Sequence, residues 1–214
     1  QDGTLQSATD SQLRITGALH NQHGRIASQS GNLDLQAGSL DNSSGGILSS
    51  AHGWLKLLTA GLFDNHAGTT QAQSLDLKAD QGIDNHNGHL SAVTGDNLIV
   101  TQDFNNQGGG LYAGTLLKVT GQQFFNQGAG LGQGGKVAGG RIDFTLAGAL
   151  NNQFGILESD STLSLNASSI NNVVGSLRAL GLSGNTRIVA NSLNNAYGRL
   201  DSANQNLDLQ VASL

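Results

Sequence analysis

One hydrophobic and polar pattern recurs nine times along the chain. It consists of an apolar residue, Asp or Asn, a second Asn, two variable residues, Gly, one variable residue, and an apolar or β-branched residue. It reads LHNQHGRI from Leu19, LDNSSGGI from Leu40, FDNHAGTT from Phe63, IDNHNGHL from Ile83 and FNNQGGGL from Phe104. It continues as FFNQGAGL from Phe124, LNNQFGIL from Leu150, INNVVGSL from Ile170 and LNNAYGRL from Leu193. The anchoring asparagines are Asn21, Asn42, Asn65, Asn85, Asn106, Asn126, Asn152, Asn172 and Asn195, separated by 21, 23, 20, 21, 20, 26, 20 and 23 residues. A period of this size held over nine units is the mark of a solenoid.

Between the anchors lie short alternating stretches such as Leu33-Asp34-Leu35, Leu75-Asp76-Leu77, Ile142-Asp143-Phe144 and Leu207-Asp208-Leu209. A period of two over so few residues predicts half-buried strands. Each unit then holds two or three strands too short to stand alone, and stacking coil on coil pairs their backbones. The expected fold is all-β: a right-handed parallel β-helix of about ten coils of roughly 21 residues. Leucine-rich repeats have a similar unit length, but their Leu-x-x-Leu-x-Leu framework and helical segment are missing.

The consensus positions take roles within that frame. The leading apolar residues (Leu19, Leu40, Phe63, Ile83, Phe104, Phe124, Leu150, Ile170, Leu193) should form an inward column. The asparagine two places later should sit at a corner, where Asn tolerates left-handed backbone geometry and its amide can bond the next coil. The following Gly should supply a positive φ at the bend. The asparagine column is therefore expected to be a structural ladder.

Composition sharpens the picture. There are 31 Gly and no Pro, Cys or Met, and only 12% of residues are charged. Absence of Pro suits a chain whose N–H groups are used in ladders. A net charge of −5 with scattered cations leaves no basic patch for nucleic acid. No run approaches the 18 apolar residues of a membrane span. The first unit is in phase from Leu13-Arg14-Ile15, and Leu214 falls just where another Asp/Asn-Asn is due. The expectation is one array over residues 1–214, cut from a much longer filament, without a separate globular domain.

Gly38-Ser39-Leu40-Asp41-Asn42, Leu163-Ser164-Leu165-Asn166-Ala167 and Leu150-Asn151-Asn152 resemble the haemagglutinin repeats of filamentous haemagglutinin. The same repeats occur in the contact-dependent growth inhibition toxins of Gram-negative bacteria. The resemblance covers essentially the whole chain. It implies a two-partner-secreted exoprotein, exported by an outer-membrane transporter and displayed at the cell surface. It further implies adhesion to a host or bacterial surface receptor, protein or glycan, or presentation of a toxin. Asn-Pro-Asn, Arg-Gly-Asp and Val-Glu-Asn-Asn motifs are absent, so this stretch reads as repeat shaft.

Candidate chemistry is sparse, and the sequence assigns no enzyme activity and no cofactor. Asp64-Asn65-His66 and Asp84-Asn85-His86 repeat on successive coils, and stacking would bring two carboxylates and two imidazoles together. Asp64, His66, Asp84 and His86 could form a donor set for Zn²⁺ or Ni²⁺, but duplication of a solvated corner is the preferred reading of the tripeptides and no metal is assigned. Asp41, Asp64 and Asp84 line up as glycosidase carboxylates would. That column ends at Asn105, Glu158 is the only glutamate, and no long loop is expected to build a cleft. Trp54, the single tryptophan, takes the outward place held by Asn32 one coil earlier and is a candidate partner contact. The 26-residue coil, with Gly128, Gly130, Gly132, Gly134 and Gly135, lacks a phosphate-loop context and should bulge from the rod.

Overall fold

The computed structural model describes residues 2–214, which form 24 strands and no helix. Every strand pairing is parallel and joins one coil to the next, in a solenoid of about ten turns. Three faces form the wall. The first carries short strands such as Arg25–Ser28, Thr69–Ala72 and Ile156–Ser159. The second carries the alternating stretches, as in Trp54–Thr59 and Ser74–Ala79. The third is narrow, with Phe63–Asp64, Ile83–Asp84 and Asp103–Asn105. In some coils one strand serves two faces, as Leu33–Asp41 does, pairing onward with both Trp54–Thr59 and Phe63–Asp64.

The alternation decides which side chains fill the lumen. Leu33 and Leu35 stack on Leu55 and Leu57, which stack on Leu75 and Leu77, and all are buried. The intervening Asp34, Lys56 and Asp76 point away into water. The leading apolar column forms as the pattern predicts, in register from Leu19 through Leu40, Phe63, Ile83 and Phe104 to Leu193. Phe104 and Phe124 meet edge to face with centroids 5.0 Å apart, and Phe144 follows at 4.9 Å. Such contacts add to the area term.

The asparagines form an unbroken ladder inside the corner. Asn21 Nδ2 donates to Asn42 Oδ1 at 2.7 Å, and the same bond recurs at each step to Asn195, none longer than 2.8 Å. Most of these amides also reach the carbonyl of the Gly that closes their own turn, as Asn42 reaches Gly46 at 3.1 Å. From Asn42 to Asn172 the residues are fully buried. A buried amide without partners would cost about 1–3 kcal/mol, so complete pairing is what makes this corner affordable.

Two roles expected of the corner residues are corrected. The asparagines do not adopt left-handed geometry, and among the consensus glycines only Gly45 does. The positive φ falls two places after every ladder asparagine except Asn126, at His23, Ser44, Ala67, Asn87, Phe154, Val174 and Tyr197, all between 52° and 60°, and at Gly108. Gly is required one place later for space. A Cβ on Gly68 would stand 2.1 Å from the Asn42 carbonyl oxygen of the preceding coil, and one on Gly109 would stand 2.2 Å from that of Asn85.

The frame also slips twice. In the turn after Asn42 an extra residue, Gly45, makes Gly46 the closing glycine and places Leu48 inside, in register with Ile26. After Asn126 six extra residues intervene. Gly135 closes the turn, Val137 takes the inward place, and Leu131 is left 77% exposed. At Thr70 the inward position is polar, and its hydroxyl donates to Asn65 Oδ1 at 3.0 Å.

Candidate functional site

The paired tripeptides come together as the stacking expectation requires. Asp41, Asp64 and Asp84 are directly adjacent in register on the narrow face. The His66 and His86 rings stack, 4.9 Å between centroids and 15° from parallel. The carboxylates are turned to the backbone: Asp64 Oδ1 accepts from His66 N–H at 2.9 Å and Asp84 Oδ1 from His86 N–H at 3.0 Å. Where the column changes to Asn105, that side chain makes the same turn bond to Gln107 N–H, and its amide donates to Asp84 at 3.0 Å. The column thus stabilises turns whether the residue is Asp or Asn. Among the described residues no group of three or more His, Asp or Glu side chains gathers around a point that could hold a metal ion. Burial, helped by the charges of Asp41 and Asp84, holds the Asp64 carboxyl above the usual carboxylate range, against the opposing pull of the His66 N–H.

Trp54 lies where its sequence position places it, pointing outward on the second face and 43% exposed. Its backbone N–H is held by Asn32 Oδ1 at 3.1 Å. The indole borders a shallow groove of about 460 Å³ shared with Lys56, Asp76, Asp96 and Leu98. Asp34, also on this groove, is committed to Arg14 through a two-pronged ion pair of 2.7 and 3.1 Å, which holds its carboxyl below the usual range. Glu158 is likewise paired, with Arg178 on the next coil.

The largest concavity is elsewhere, at a place the sequence reading missed. The six extra residues after Asn126 do not simply protrude. Gly128 and Gly134 close the neck of the loop, a Cβ on either coming within 2.3 Å of backbone. Above that neck the loop leans back over the two preceding coils and walls a cavity of about 860 Å³. The expectation that no loop builds a cleft is therefore corrected.

The cavity rests on the first face. His89, Gly110 and Lys136 are consecutive in register there. Gly110 lacks a side chain, and the Tyr112 ring fills the space between the other two, 5.1 Å from the His89 ring and so close that a Cβ on Gly110 would meet it at 2.6 Å. Gln107, Gln127 and Gln133 complete the polar rim. Gln127 Oε1 is buried without a hydrogen-bond partner. Burial pulls the His89 pKa below its ordinary value, favouring the neutral imidazole. The available signal was the coil length, 26 residues where its neighbours have 20. What the length alone does not reveal is which way the extra residues fold.

Comparison with protein-family models, with curated proteins and with solved structures returned no match for this chain.

Proposed function

We propose that the chain is a structural and adhesive shaft of a large secreted bacterial surface exoprotein, giving reach and repeated contact with host or neighbouring cells. The observation that carries this reading is the division of labour between wall and surface. The lumen is filled by apolar columns and the corner by a self-satisfied amide ladder. Outward side chains are thereby left to vary from coil to coil without touching the fold. Such an array gives length in proportion to repeat number, because each coil contacts only its neighbours. About ten coils spaced near 4.8 Å span roughly 50 Å. The sequence resemblance to haemagglutinin repeats points the same way, toward export through an outer-membrane transporter and display on a Gram-negative surface.

One observation favours a second reading, a carbohydrate-active β-helix. Asp64 has its carboxyl held toward the protonated form beside Asp84 and Asp41, and a pair of neighbouring carboxyl groups is the element of acid–base glycan cleavage. Against it, one oxygen of Asp64 and one of Asp84 are engaged in turn bonds. Antibody against the rod should label intact cells of the producing bacterium and lose that labelling when the outer-membrane transporter is deleted. Labelling only after permeabilisation would overturn the shaft reading. Release of shortened oligosaccharides from surface glycans by the purified chain would establish the second.

A further inference from the structure

We propose that the cavity under the Gly128–Gly134 loop is a binding site for a carboxylate-bearing sugar of one or two rings, held between the Tyr112 ring and Lys136. The inference goes beyond the shaft reading and does not depend on it, because the site is built by one coil's insertion and not by the repeat.

Size, charge and chemistry converge on this ligand. A volume of about 860 Å³ lies within the range of small-ligand pockets, about 300–1,000 Å³. His89 and Lys136 flank Gly110 from the coils on either side. Their backbones are therefore about 9.6 Å apart, two coil spacings, and the Tyr112 ring lies over Gly110 between them. That ring lines the cavity, and aromatic rings of this kind pack against the C–H face of a sugar while the phenol stays polar.

The rim is made of amides. Gln107, Gln127 and Gln133 each carry a donor and an acceptor, the complement of a sugar hydroxyl that both donates and accepts. The charge sets the class of sugar. No Asp or Glu lines the cavity, although the chain as a whole carries a net charge of −5. Lys136 is its one fixed charge, and it is exposed and free of the ion pairs formed among the described residues. A carboxylate on the sugar would meet an ammonium there and no opposing charge.

The test is ligand-observed NMR and calorimetry on the whole chain, with methyl glucuronide and methyl glucoside as the matched charged and neutral probes. The charged sugar should bind about tenfold more tightly, the difference of one solvent-exposed charge pair plus its hydrogen bond, and added salt should erode that margin. Lys136→Gln, at an exposed side chain, should leave the thermal midpoint unchanged and equalise the two sugars. Tyr112→Ala should weaken both. Because Tyr112 packs against Gly110 and His89, excision of Ala129–Gln133 serves as the second variant, and it too should weaken both sugars while the Asn126–Asn152 step stays intact. Absence of binding by the folded chain, equal affinity for the two sugars, or a preference that survives Lys136→Gln would each overturn the proposal. Displacement of the charged sugar by equimolar inorganic phosphate would reduce the cavity to a general anion site and overturn the sugar assignment.

Discussion

Each interior corner asparagine serves at least three partners with one amide. Asn106 accepts from Asn85 at 2.7 Å, donates to Asn126 at 2.8 Å, and approaches the Gly109 carbonyl at 3.4 Å. Asn106→Ala would leave two neighbouring amides half-paired in a buried corner, and a loss of about 1–3 kcal/mol is expected in denaturant unfolding. Val174 presents the opposite case. A β-branched residue sits there at a φ of 53°, where Asn87 stands in an equivalent turn. Val174→Asn should raise stability by about 1 kcal/mol, since Asn tolerates the left-handed region that crowds a branched side chain. Asp64 allows a test by pH. Its folded carboxyl lies above the ordinary range, burial being the first cause. The native state therefore binds the proton more tightly than the unfolded chain, and its ionised form at neutral pH opposes folding. Asp64→Asn keeps an acceptor for His66 N–H, as Asn105 does for Gln107. The variant should melt higher than the parent at neutral pH. The gap should close as pH falls through the folded pKa of Asp64 to below its ordinary one, and a constant gap would contradict the assignment.

At the scale of the element, no strand is long enough to fold alone, and those on the narrow face have only two or three residues. Their stability comes from the coils above and below. Phe104 shows the consequence. It is fully buried, stacked in register between Ile83 and Phe124. Phe104→Ala should cost about 3–5 kcal/mol through the cavity it leaves. Because solenoid stability is a sum of nearest-neighbour terms, the loss should be local. Hydrogen exchange should quicken in the coils around Ile83 and Phe124 and change little near Leu33 or Ile188. A uniform increase along the chain would show the array to be more cooperative than its contacts suggest.

For the molecule as a whole, the repeat hides an asymmetry. Nine asparagines keep one ladder despite coil lengths from 20 to 26 residues, because extra residues are taken up at turns or at bulges between faces, as between Ile15 and Ala18 and between Ala113 and Leu116. A strand insertion would flip side chains between lumen and solvent, whereas a turn insertion disturbs only the surface. Gly45 adds one residue in this way and Gly128–Gly134 a small loop. Variation falls at more than one corner: the coil from Asn126 takes its extra residues just after the asparagine, and the coil from Asn172 takes its own between Ala179 and Thr186.

Much of this was legible in the residues. The alternation of Leu33-Asp34-Leu35 and its successors determined strands and their inward faces, because a period of two can be buried on one side only. The nine asparagines at near-constant spacing determined the coil and placed the ladder. Trp54 was correctly set outward by its register with Asn32. Other features were decided by contacts between coils, which no single repeat contains. Whether the consensus Gly served a bend or a close approach depended on the Asn carbonyl of the coil before it. Which glycine closed the turns after Asn42 and Asn126 depended on keeping Leu48 and Val137 in the apolar column. The direction taken by the Gly128–Gly134 loop, and hence the cavity over Gly110, depended on packing against Phe154 and Gly155 of the next coil. Local pattern fixes what is periodic, and stacking decides how the exceptions are accommodated.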